Sequence, residues 1–485
     1  MRIPATASRV GPSRDVRALC RAMLVVLAVA AACAPAAQAE WSAPVTVSAA
    51  HGAIDPVRLA TGPAGALLTW TYYDFVPPTF QGFGPASEGA AFAAPGGPFG
   101  PEGRLPAGYA TGPLVSIGGG RVAQLLSVAA GVNTSIPEVV LGRVGKGFGA
   151  PLRVGPSVRS VPGRASVAGD ARGDVVLAWI RADRYVEHRV VWVSVRPAGG
   201  RFGVPRRVSG SANAEQVTTA VGPNGEAVVA FATHGRMLAT VRHRGTTWGP
   251  LQQLGPAAVD TENDVTPSVL SNGRVIVAWY HVQLTAGGSI GPGALSVAVQ
   301  PAGADRFRRA QVLTTHQSLA GAPGGVSLAP AIVQAGGHRP LLAFLANASA
   351  TNPNAVVNVA HLDGATFGAS RTISATDQQA GPLAAATGPR GVIVTWTADQ
   401  SPWLGLGNVF AARSNRETGA LEVPEQVSLT GGVSVGKSVA VALDAAANRW
   451  VIAWVRSLPP SAVLPGTPPT IAGGGQTVQV STSAS

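Results

Sequence analysis

Residues 166–179 read SVAGDARGDVVLAW: a short apolar strand, a glycine-bearing turn, and a second strand ending on Trp179. The phrase returns as RLATGPAGALLTW (58–70), TTAVGPNGEAVVAF (218–231), PSVLSNGRVIVAW (267–279), LAAATGPRGVIVTW (383–396) and AVALDAAANRWVIAW (440–454). Weaker copies are PLVSIGGGRVAQLLS (113–127) and PAIVQAGGHRPLLAF (330–344). Self-similarity at a fixed rhythm marks a repeat architecture, in which each unit buries its face only against its neighbours.

A second phrase falls between copies of the first: strand, glycine turn, an aromatic, proline, strand. Its fullest form is VWVSVRPAGGRFGVPRRVS (191–209), and LATVRHRGTTWGPLQQL (238–254) and VAHLDGATFGASRTIS (359–374) repeat it. Each period of about 50 residues therefore holds four short antiparallel strands, which is the rhythm of a propeller blade. No sustained 3.6-residue apolar period interrupts it. The fold expected is an all-β, eight-bladed β-propeller, or seven-bladed if the 113–127 copy is discounted. The blades fall near 55–108, 109–157, 158–210, 211–255, 256–314, 315–374, 375–429 and 430–485. The last copy has only three strands, and WSAPVTVS at 41–48 is a fourth-strand phrase without its preceding three. The strand at 41–48 is expected to complete the last blade and close the ring, hiding two edges at once.

Residues 1–39 carry five arginines, an apolar run at 22–32 and Ala37-Gln38-Ala39, the plan of a cleaved secretory signal. Eleven apolar residues are too few to span a bilayer, which needs about 20. Residues 40–485 would then form one exported propeller domain, without a transmembrane segment and without the two cysteines, Cys20 and Cys33. A lipid anchor on Cys33 is the lesser alternative, since Ala30 stands where a lipobox prefers leucine. The formal charge of +12 falls to +8 once the five arginines and Asp15 of the leader are removed. The remaining arginines are scattered rather than interleaved with aromatics, so nucleic acid is not an expected partner.

The turn between third and fourth strands resembles the Asp box of the sialidase-like, BNR-repeat propellers. Gly245-Thr246-Thr247-Trp248 keeps the second half of that box and Asp363-Gly364-Ala365-Thr366-Phe367 a shortened form. The resemblance implies a propeller fold and, as one activity, exo-glycoside hydrolysis of sialidase type. That chemistry would need three arginines, a tyrosine paired with a glutamate, and an aspartate. The family's Arg-Ile-Pro motif occurs here as Arg2-Ile3-Pro4, inside the leader, and no catalytic residue carries across.

Other motifs fail on context. Residues 431–438 match GxxxxGK[ST] but lead into the strand phrase SVAVALD rather than a helix, so nucleotide is not expected. The eight histidines are isolated, and Asp260, Glu262 and Asp264 read as a solvated loop, so no metal or other cofactor is expected. The recurring Trp70, Trp179, Trp279, Trp396 and Trp454 read as core. The loops after the second strands gather the remaining polar and aromatic residues: Tyr72, Tyr73 and Asp74; Arg181, Asp183, Tyr185, Glu187 and His188; Tyr280 and His281; and Trp403. Aromatic faces beside arginine and carboxylates suit sugar stacking or a protein hot spot. The function expected is a secreted, monomeric, non-catalytic binding module for glycan or extracellular protein ligands. Sialidase-type hydrolysis is the alternative.

Overall fold

The computed structural model describes residues 41–483 apart from 74–86, 106–108, 132–133, 155–163, 183–188, 211–212, 234, 246, 257–264, 285–289, 318–328, 335–338, 350–351, 353, 390, 402–405, 416, 430–432, 435–437 and 459–474. Among the described residues every regular element is a β-strand. They form eight blades of four antiparallel strands arranged in a ring.

Blade 1 runs from Ala53–Gly62 through Gly65–Tyr73 and Ser87–Ala93 to Gly103–Arg104. Blades 2 to 7 repeat that order, with innermost strands Tyr109–Ser116, Ala165–Gly169, Ala214–Val221, Val265–Val269, Ala331–Val333 and Gln379–Gly388. Blade 8 consists of Val439–Asp444, Arg449–Ser457, Gln476–Thr482 and, from the other end of the chain, Val45–Thr46. Each innermost strand touches the innermost strands of both neighbours, and blade 8 packs against blade 1.

The second strand of each blade explains the sequence rhythm. Val175–Ala182 lies between its own first and third strands and between two neighbouring blades, so its side chains from Val175 to Ile180 are buried on both faces. A strand buried on both faces reads as a continuous apolar run, here VVLAW, rather than as an alternation. The parity of the strand then sends successive side chains to opposite neighbours. Trp179 and Leu177 pack on Leu125 and Ala123 of blade 2, whereas Val176, Ala178 and Ile180 pack on Phe231 and Val229 of blade 4.

The same direction holds around the ring. Trp70 points into blade 8, Trp279 into blade 4, Trp396 into blade 6 and Trp454 into blade 7, all essentially inaccessible. Phe231 and Phe344 take that position in blades 4 and 6, and Leu126 takes it in blade 2. The copy at 113–127 is thus a full blade whose aromatic has become leucine. The Trp70 ring leaves no room for a side chain opposite. Gly89 pairs with Trp70 across the sheet, and a Cβ there would lie 2.3 Å from the indole.

Turn chemistry fixes the hairpins. In blade 3, Asp170 Oδ1 accepts from the backbone N–H groups of Arg172, Gly173 and Asp174 at 2.9–3.0 Å, while Gly173 adopts φ +105°, a region costly for a side chain.

The outer edges are short and polar. Gly103–Arg104, Leu152–Arg153, Arg206–Arg207, Arg371–Thr372 and Glu425–Gln426 are two residues long, and all but Glu425 are exposed. Brief, charged edge strands discourage pairing with another chain. At the blade 8 edge Val45 pairs with Val480 and Thr46 with Gln479, flanked by bridges from Trp41 to Ser483 and from His51 to Gln476. Trp41 Nε1 also donates to Glu425 Oε2 of blade 7 at 3.0 Å, and the Arg413 guanidinium lies over its ring.

The P-loop look-alike is β structure where it is described. Val433–Ser434 pairs with Leu406–Arg413 of blade 7, Val433 also pairs with Arg456 of blade 8, and Val439–Asp444 follows as a strand.

The inter-blade indoles should dominate stability. Trp279→Ala empties a buried site and removes the 2.7 Å hydrogen bond from Nε1 to the Pro256 carbonyl. It should cost about 3–5 kcal/mol and lower Tm by several degrees in thermal unfolding followed by circular dichroism. Val204→Ala, at a rim residue 87% exposed, should stay within about 0.5 kcal/mol of the parent.

Candidate functional site

In each blade the connection from second to third strand and the crossover to the next blade leave by one face of the ring. The residues singled out from the sequence follow the recurring aromatic of the second strand in their blades. Asp74, Asp183, Tyr185, Glu187, His188 and Trp403 lie outside the described residues. The other five are placed, and three of them belong to the packed interior.

Tyr72 is a strand residue opposite Ile54 in blade 1 and is 1% exposed. Its ring stacks on His51 with centroids 3.8 Å apart, and His51 Nε2 lies 3.1 Å from Glu102 Oε1. Glu102 also accepts from the Ala49 N–H at 2.8 Å, and Gln476 Oε1 accepts from the Ile54 N–H at 2.7 Å. Tyr72 therefore wedges the junction of blades 8 and 1 instead of projecting from a loop. Tyr280 is buried too. Its hydroxyl donates to the Leu345 carbonyl at 2.9 Å and accepts from the Leu345 N–H at 3.0 Å, tying blade 5 to blade 6. The sequence placed both on loops because strand ends there were set by the recurring aromatic. The strands run two or more residues further and stay buried on both faces: Tyr72 shares the parity of Trp70 and faces blade 8, whereas Tyr280 takes the opposite parity and faces blade 6.

His281 is likewise buried, with Ser296 Oγ 3.4 Å from Nδ1. Burial holds its imidazole below the ordinary histidine value. His361, half-buried in blade 6, is shifted the same way by burial and by the nearby Arg339 and Arg371 charges.

Two expected residues reach solvent. Tyr73, half-buried, ends the second strand of blade 1. Arg181 is exposed near the end of the second strand of blade 3, its guanidinium over the half-buried Trp192 ring at 5.5 Å. A planar cation held on an indole face is ordered at little entropic cost and keeps its edge N–H groups available to a ligand.

The structure adds a polar group that the sequence reading missed. Arg58, on the innermost strand of blade 1, puts Nη1 3.4 Å from Glu88 Oε2 and 3.2 Å from Thr71 Oγ1. Thr71 donates to Glu88 Oε1 at 2.7 Å. Burial pushes the Arg58 guanidinium below its ordinary value, opposed by the charge of Glu88, then Asp55, then Tyr73. Asp55 is held by Ser438 of blade 8, whose hydroxyl donates to Oδ1 at 3.0 Å. Thr69 donates to Gln124 of blade 2 at 3.1 Å. The available signal was a charge inside an otherwise apolar strand phrase: Arg58 opens RLATGPAG and Glu88 sits in SEGAAF. A buried ion pair contributes little net stability over an apolar pair, yet removing one partner costs about 3–5 kcal/mol. Among the described residues no cluster of histidine, aspartate or glutamate has the makings of a metal site.

No known family matches the sequence, and no curated protein matches it. Solved structures do. An ulvan lyase, described as a new family of polysaccharide lyase, is 11% identical over 70% of this chain and 88% of its own, with a TM-score of 0.43. A puromycin hydrolase is 14% identical over 86% of this chain and 61% of its own, at 0.45. The parainfluenza virus 5 hemagglutinin-neuraminidase ectodomain is 10% identical over 66% and 80%, at 0.33. At such scores no chemistry passes from them to this chain.

The two depressed histidines set a pH dependence. The unfolded chain takes up a proton that folded His281 refuses, so this contribution is complete above the ordinary histidine range, about pH 6.5, and is lost as pH falls below it. Tm should decline between pH 7.5 and 5. His281→Gln should flatten that slope, and an unchanged slope would show that His281 does not set it.

Proposed function

We propose that this protein is an exported, non-catalytic binding module of the sialidase-like propeller type, released from a leader at residues 1–39. Its ligand side is the face of the second-to-third-strand loops and blade crossovers. The ligand is a glycan or an extracellular protein, and the module works as a monomer without cofactor. The observation that carries this reading is the Arg181–Trp192 pair, a flat aromatic and an ordered cation presented at the rim of that face. Such a pair stacks on the apolar face of a sugar while the guanidinium takes its hydroxyls or carboxylate. The commitment of Tyr72 and Tyr280 to the core supports it further, since both are lost as nucleophiles for sialidase-type hydrolysis.

One arrangement favours the hydrolase instead. Arg58, Glu88, Tyr73 and Asp55 supply the four residue types that sialidase-type chemistry uses, close enough to act on the Arg58 charge.

A glycan array with purified protein, read for both retained protein and loss of terminal sugars, separates the two. Retention without loss is expected. Arg181→Ala should weaken it about tenfold, equivalent to the ~1–2 kcal/mol of a partly desolvated cation–π contact. Loss of terminal sugar that disappears in Tyr73→Phe would overturn the non-catalytic reading.

A further inference from the structure

The arginines that look scattered along the sequence gather on one side of the ring. Each blade presents its fourth strand, and the turn before it, at the circumference. In blade 3 that segment exposes Arg201, Arg206 and Arg207, and in blade 5 Arg306, Arg308 and Arg309. Blade 2 contributes Arg143, Lys146 and Arg153, and blade 4, between 3 and 5, contributes Arg244. The acid exposed among the described residues of these segments is Asp305. The other half of the rim differs. Blade 7 brings Glu417, Glu422 and Glu425, blade 1 sets Glu102 against Arg104, blade 6 sets Asp363 against Arg371, and Val45–Thr46 of blade 8 is uncharged.

We infer that this arc over blades 2 to 5 is a docking surface for an anionic polysaccharide bearing carboxylate or sulfate groups, separate from the loop face. Three observations select that partner. Four consecutive blades of eight cover half the circumference of a convex wall, so a flexible chain can follow the arc while a flat bilayer reaches only neighbouring blades. The aromatics of these segments, Phe148, Phe202, Trp248 and Phe307, are half-buried against the blade cores, so among the described residues no fully exposed ring stands beside the cations to stack nucleic-acid bases. The cations are almost all arginine, whose planar fork engages carboxylate and sulfate oxygens two at a time. Among the described residues Arg201, Arg206, Arg306, Arg308 and Arg309 have no side-chain ion pair or hydrogen bond, so binding breaks no contact there.

The test is surface plasmon resonance of the purified protein on dextran sulfate and polygalacturonate, with neutral dextran as the blank. Both polyanions should bind with an affinity that falls steeply with salt, as release of counterions requires. Arg201→Glu/Arg206→Glu and the triple Arg306→Glu/Arg308→Glu/Arg309→Glu should each weaken binding about tenfold or more, and together abolish it. The neutral pair Arg201→Gln/Arg206→Gln should lose about half as much on a logarithmic scale, guarding against a folding defect that circular dichroism would also reveal. Arg339→Gln in blade 6, outside the arc, should bind as the parent does, which ties the effect to this surface. Unchanged binding by the arc variants would overturn the inference. So would duplex DNA or phosphatidylglycerol vesicles binding more tightly than both polysaccharides.

Discussion

The structure depends on one packing relation: the second strand of every blade is buried from both sides by its neighbours. Because side chains alternate along a strand, that position serves two interfaces at once, with one parity sent backward and the other forward. The backward parity carries the indole or phenyl ring, so each blade plugs the gap left by the one before it. A blade removed from this arrangement would expose both faces of its central strand, which is why the units have meaning only as a ring.

The edges follow from the same constraint. In most blades the outermost strand is the shortest and most exposed, since it has no neighbouring blade close enough to bury it on both faces. The shortness of the two-residue outermost strands and the arginine that four of them carry keep those edges from recruiting further strands. Blade 8 borrows its outer strand from residues 45–46, so the two ends of the chain are fastened by backbone pairing and by Ser42, Ser48 and Gln476 at the seam.

Two polar sets in this apolar scheme are paired internally. Arg58, Glu88 and Thr71 bond to one another inside blade 1, and the Tyr280 hydroxyl closes on both backbone groups of Leu345. A low-dielectric surround makes an unpaired member of either set costly. The exposed chemistry is correspondingly displaced outward, to the loop face and the circumference.

The repeat phrase alone determined the strand order, the blade rhythm, the core tryptophans and the partnership of the first strand with the last blade. Those are local or periodic properties, and a strand buried on both faces leaves an unmistakable apolar run. Site residues were less legible. Tyr72, Tyr280 and His281 follow the same aromatic that marks the core, and only the actual strand length decides whether the next residues point inward. Arg58 and Glu88 lie 30 positions apart and meet only through strand pairing. The gathering of arginines on one half of the rim was hidden for the same reason: residues at equal places in successive blades are far apart in sequence, and the closure of the ring makes them neighbours.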